Sequence, residues 1–168
     1  MPSLFDIVSH TPLWVWPLMA AVFWLGWYGR RERIVPPLRL AILPLVAFGV
    51  SVATLVQSTR PALAAAGWLV ALLAFLPLGY AIGRRRAARW LDDGRLQIAG
   101  GWFMLVFGMS IFVVRYALGV LFGVLPALKV EPFWIGLSGG VGGVIAGIGL
   151  GWLAGLLLRA RRASLAVG

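Results

Sequence analysis

Apolar residues along this chain gather into five long blocks separated by short polar stretches. The blocks cover about residues 13–28, 38–56, 62–82, 102–125 and 133–158. A helix needs ~20 apolar residues to cross a bilayer, and only helices or closed barrels satisfy their backbone inside one. The pattern therefore predicts an all-α fold: a polytopic transmembrane bundle of five spans in a single domain, residues 1–168.

The punctuation between blocks agrees with helices. Thr11-Pro12 offers a hydroxyl N-cap and a proline at the first helical position. Trp14 and Trp16 stand at one end of the first block and Trp24, Trp27 and Tyr28 at the other, as interfacial aromatic belts do. Pro44, inside the second block, leaves the carbonyl of Leu40 without its usual donor and predicts a bend. The longest polar piece, residues 84–101, holds an Asp93-Gly94 turn signal followed by Leu96-Gln97-Ile98, which alternates as a strand does. It predicts a small hairpin-like cytoplasmic loop.

Composition makes the membrane reading firmer. Of 168 residues 61% are hydrophobic and 12% charged, with a mean hydropathy of +0.95, whereas a soluble domain is nearer a quarter charged. The net charge of +10 would suggest nucleic acid in a soluble protein, but its placement says otherwise. Arg30, Arg31, Arg33 and Arg39 form one cluster, Arg84, Arg85, Arg86, Arg89 and Arg95 a second, and Arg159, Arg161 and Arg162 a third. Each follows a block that exits on the same side. That is the positive-inside pattern, and it predicts an outside N-terminus and a cytoplasmic C-terminus. Arginines at headgroup depth meet the lipid bilayer's anionic headgroups first, so nucleic acid is not expected as a partner.

Several chemistries are excluded. With no cysteine there is no thiol, disulfide or Cys-metal site. One histidine, His10, rules out a bis-histidine haem within one chain, and no metal or cofactor is expected. Asp6 and His10, four apart, could pair on a helical face but lack a nucleophile beside them. Asp92 and Asp93 serve a turn, and no phosphate loop exists, so an enzyme is not expected.

One residue breaks the apolar pattern. Arg115 stands near the middle of the fourth block, about 16 Å below Pro126 on a helix. A guanidinium at the centre of hydrocarbon costs ~3 kcal/mol or more, so it faces protein or water. Gly108, Gly119 and Gly123 share its helical face, and a glycine row predicts a packed neighbour there. No Asp or Glu lies in any block; Tyr116 and the hydroxyls Ser51 and Thr54, at comparable depth on the second span, are the candidate companions. The bland reading ties helices through hydroxyls and carbonyls; the sharper one holds an anion or polar solute. On the fifth block Gly139, Gly143, Gly147, Gly151 and Gly155 make a row four apart. It either closes the bundle or joins copies in a homo-oligomer.

Two local patterns carry a family likeness. His10-Thr-Pro-Leu-Trp-Val-Trp16 resembles the opening of a family of small bacterial inner-membrane proteins with no assigned function. Arg89-Trp90-Leu91, Asp93-Gly94-Arg95-Leu96, Gly100-Gly101 and Arg115-Tyr116 are similar to its later features. The resemblance implies five spans and no mechanism. The loop and fourth span also resemble, more distantly, CcdC-type proteins associated with cytochrome c biogenesis; without cysteine, thiol redox work is not implied. The expectation is a structural or accessory membrane component acting through a membrane protein partner or its own copies, with a small transporter or channel built on Arg115 as the alternative and, from the distant likeness, a membrane enzyme or assembly factor without thiol chemistry as a third.

Overall fold

The computed structural model describes residues 15–29, 31–91 and 93–165. The expected Asp6–His10 pair, the Thr11-Pro12 helix start and Asp92 lie outside these. The described elements are α1 (Val15–Tyr28), β1 (Arg33–Val35), α2 (Pro37–Val56), α3 (Pro61–Arg84), β2 (Ala88–Trp90), β3 (Leu96–Ile98), α4 (Phe103–Val124), a 3-10 turn (Pro126–Val130) and α5 (Pro132–Leu165). Prolines at the first helical turn of α2 and α3 start those helices where a backbone N–H would have no partner. Four helices, α2, α3, α4 and α5, are long and apolar enough to cross a membrane. α1 is shorter over its 14 described residues. The exposed surface of the long helices is apolar, with Leu38, Val56, Val70 and Val113 all outward. Such a surface suits lipid and not water.

The chain divides into two compact units, one from residues 1–31 and 100–126, the other from 32–99 and 127–168. In the first, α1 and α4 run antiparallel. Gly26 lies so close to Leu105 that an added Cβ would sit 2.6 Å from the Leu105 Cα, and a Cβ on Gly108 would sit 3.2 Å from Val22 Cγ1. Trp27 meets Trp102 edge to face at 6.3 Å, and the Gly101 N–H donates to the Gly29 carbonyl.

The second unit is built on α3 and α5, which run parallel. Their close approach follows from glycine. A Cβ added at Gly139, Gly143, Gly147, Gly151 or Gly155 would collide in turn with the carbonyls of Ala64, Trp68, Leu72, Leu76 and Tyr80. Both series advance by four, so the two backbones stay in register for four turns. α3 reciprocates: Gly67, Gly79 and Gly83 face the carbonyls of Gly136, Ile148 and Trp152. α2 lies on the same helix, with Pro44 3.7 Å from where a Cβ of Gly149 would stand. α5 also runs past the expected end of its span at residue 158 to Leu165, because its Ala-, Leu- and Arg-rich tail favours helix and lacks glycine and proline.

A small sheet closes the arginine-rich end of this unit. β2 and β3 form the expected hairpin, with Ala88 opposite Ile98 and Trp90 opposite Leu96. Gly94 has φ +75°, which its lack of a Cβ permits. The Asp93-Gly94 turn signal accounts for these two strands. The structure adds β1, from the preceding polar stretch, along the other side of β3 with Val35 opposite Leu96. Val35, Ala88, Leu96 and Ile98 are buried together. A two-stranded hairpin is marginal alone, so the third strand and the face on α5 give it support.

Candidate functional site

Arg115 and Tyr116 belong to the first unit, Ser51 and Thr54 to the second. Arg115, on the thirteenth residue of the 22-residue α4, is half-buried. The only acid of its unit is Asp6, outside the described residues. The Tyr116 ring stacks on Phe112, one turn back, at 6.2 Å and 5° between planes, so α4 holds the ring along its own surface. Of the glycines expected to share a packed face with Arg115, only Gly108 meets a neighbouring helix. Gly119 and Gly123 are exposed, with open space where a Cβ would stand. Within this unit, then, spacing of four permits close approach but does not supply the opposing backbone.

Ser51 has another employment. It is fully buried, its hydroxyl donates to the Phe48 carbonyl at 2.7 Å, and it accepts the Trp68 indole N–H at 3.1 Å. The Phe48 and Trp68 rings meet at 5.5 Å, so the hydrogen bond is set in an aromatic pocket between α2 and α3. A hydroxyl has one proton and two lone pairs; the proton and one lone pair are committed. Thr54 donates to the Ser51 carbonyl at 2.6 Å, the back-bonding available to a threonine inside a helix. The hydroxyls read as candidate companions of Arg115 are thus tied into their own unit. The partner that sequence reading missed is Trp68, whose indole signals no role until α2 is placed beside it.

The most concentrated charge lies elsewhere in the second unit. A hollow of about 230 Å³ is lined by Tyr80, Arg84, Leu158, Arg159, Arg162 and Ala163. Arg84 sits 5.6 Å above the Tyr80 ring, a cation–π contact that holds the guanidinium over α3. A neighbouring hollow of about 460 Å³, lined by Pro37, Trp90, Leu157, Leu158, Arg161 and Ser164, is mainly apolar. In the sequence these arginines carry a topology signal. The glycine row itself pointed to them: the step of four that ends at Gly155 lands next on Arg159, and the facing row from Ala64 to Tyr80 lands next on Arg84.

The hairpin turn carries one ion pair. Asp93 accepts from the Arg95 side chain at 2.6 Å and from its backbone N–H at 3.1 Å. The Arg95 side-chain hydrogen bond holds the Asp93 carboxyl below its ordinary value of 3.8. Both groups are solvent-exposed, and they order the turn. Gln97 on β3 donates to Glu32 at 2.8 Å. Among the described residues no cluster of His, Cys, Asp and Glu could hold a metal ion.

No family model matches the chain. It is similar to the Uncharacterized protein PM0739 of Pasteurella multocida (strain Pm70), at 32% identity over 66 residues. The matched segment is 39% of this chain, and the chain spans about half the length (52%) of that relative. No solved structure matches.

Proposed function

We propose that this chain is a five-span protein of the bacterial inner membrane, with its N-terminus outside and its C-terminus in the cytoplasm, and that it acts as a non-enzymatic structural or accessory component. The observation that carries the reading is where the small and hydroxyl residues go. In the second unit the five-glycine row and Ser51 are consumed in fastening α5 and α2 to α3. A passage for solute would need such groups turned to a wet interior. The twelve arginines flanking the spans on one side support the orientation, against Arg60 and Lys129 on the other.

The absence of cysteine makes the topology directly testable. Thr59→Cys, in the polar turn after α2, should react with an impermeant maleimide in intact spheroplasts. Gly94→Cys, in the hairpin turn, should react only after permeabilisation; the reverse order sinks the orientation.

A second reading, a small anion or polar-solute transporter, has one observation in its favour: half-buried Arg115, with no described carboxylate in its unit. Flux separates the two. Proteoliposomes holding wild type or Arg115→Leu should both leak anions no faster than protein-free vesicles. Wild-type flux that vanishes in Arg115→Leu would establish the transporter.

A further inference from the structure

The end of the parallel α3–α5 pair has an electrostatic problem built into its register. Gly155, the last of the α5 glycine row, brings the two backbones together, with an added Cβ 3.0 Å from the Arg84 backbone nitrogen. The next step of both rows is an arginine, Arg84 on α3 and Arg159 on α5, and Arg162 is three residues further along the same face of α5. Close packing therefore drives three guanidiniums towards one hollow. None of the residues lining it is acidic. Of the described acids, none lines it: Asp93 is paired with Arg95, Glu32 accepts from Gln97 on β3, and Glu131 precedes the opposite end of α5. The negative C-terminal ends of the two helices contribute only about half a charge each. They leave most of the positive charge uncompensated.

We infer that Arg84, Arg159 and Arg162, over Tyr80, form a site for the phosphate of an anionic phospholipid headgroup. Arginine suits phosphate because its planar donors engage two oxygens at once. The size fits as well: about 230 Å³ is below the ~300 Å³ at which sites for whole small molecules begin, and enough for a charged headgroup fragment. Leu158, exposed on the hollow's rim, offers an apolar track for an acyl chain leaving it. Basic hollows between spanning helices at the cytoplasmic face are a recognised setting for such lipids. The inference rests on the reading that α3 and α5 cross the bilayer and end at headgroup depth.

The test is native mass spectrometry of the full chain released from detergent, titrated separately with phosphatidylglycerol, phosphatidylcholine and inorganic phosphate. Phosphatidylglycerol should bind as a single tight adduct, weakening as ionic strength rises. Arg159→Gln should weaken it about fivefold, and Arg159→Gln with Arg162→Gln by about tenfold or more, the scale of exposed charge pairs. Arg60→Gln, at the opposite end of α3, should leave it unchanged. These arginines are exposed, so the variants should keep wild-type helical content by circular dichroism. Equal binding of phosphatidylcholine, or full retention in the double variant, overturns the site. Inorganic phosphate binding as tightly as the lipid overturns the lipid assignment. The maleimide test, run on the same protein, keeps the two ideas apart: correct sidedness without selective binding removes the site and leaves the topology standing.

Discussion

α4 and α5 are both long apolar helices with glycines four residues apart, yet they are used in opposite ways. In the most apolar window of α5, 56% of residues are buried; in that of α4, 6% are. Hydrophobicity does not separate them, since both qualify as spanning segments. What separates them is the partner. Opposite α5 stands α3, whose own Ala64, Gly67, Gly79 and Gly83 let its carbonyls reach the α5 glycines. Opposite α4 stands α1, a helix of bulky aromatics that meets the α4 backbone closely at Gly26 and otherwise touches Gly108 through the Val22 side chain. In lipid no hydrophobic force drives helices together, so van der Waals contact between backbones has to do it. A glycine is then worth what the facing helix can bring to it.

Substitution breaks this comparison most sharply on the two glycine rows. Gly147→Ile places its Cβ 2.6 Å from the Leu72 carbonyl and must force α3 and α5 apart. A loss of ~3 kcal/mol or more is expected from overpacking of this kind, read as early unfolding in an SDS titration. The same change at Gly119 meets open space and should move the midpoint by less than ~0.5 kcal/mol. Equal effects at the two positions would erase the distinction between the helices.

Gly26→Ala probes the close backbone approach between α1 and α4. Its methyl would press on the Leu105 backbone, so a loss of ~1–3 kcal/mol is expected in that unit alone. Hydrogen exchange followed by mass spectrometry should show faster exchange in α1 and α4 with α5 unchanged.

Ser51→Ala removes the acceptor of the Trp68 indole and should cost ~0.6–1.7 kcal/mol, the range of interhelical polar bonds in membranes. A red shift of tryptophan emission should accompany it. Ser51→Thr keeps the hydroxyl and should restore much of the loss.

The smallest effect concerns Asp93. Because its folded value is depressed, its support for the turn is complete above its ordinary 3.8 and is lost as pH falls through the lower folded value. Asp93→Asn should therefore loosen the β2–β3 hairpin slightly at pH 7. Once acid has protonated the carboxyl, wild type and variant should no longer differ. Exchange of the Leu96–Ile98 amides in the two proteins at matched pH reports both.

These contrasts also mark what was legible in the residues. The apolar blocks showed where the long helices would be, and Asp93-Gly94 showed the hairpin. β1 was not legible, because Arg33-Ile-Val35 is too short to display alternation and takes its identity from β3. Ser51 could be read as a hydroxyl on a helix, but its purpose lay in Trp68, 17 residues away on another helix. Gly119 and Gly123 looked equivalent to the α5 glycines because spacing is a property of one helix, and packing a property of two. Arg84 and Arg159 carry only a topology signal in the sequence, since their meeting depends on the register of α3 against α5.

That register has a consequence in time. Ala64 and Gly139 are neighbours in the finished protein but about 75 residues apart in the chain, with α4 synthesised between them. At ~5–20 residues per second, α3 waits roughly 4–15 s in the membrane before its glycine partner emerges. During that interval its carbonyl-lined face is open to whatever helix drifts past. Release of a chain truncated before Pro132 would leave that face permanently unmatched.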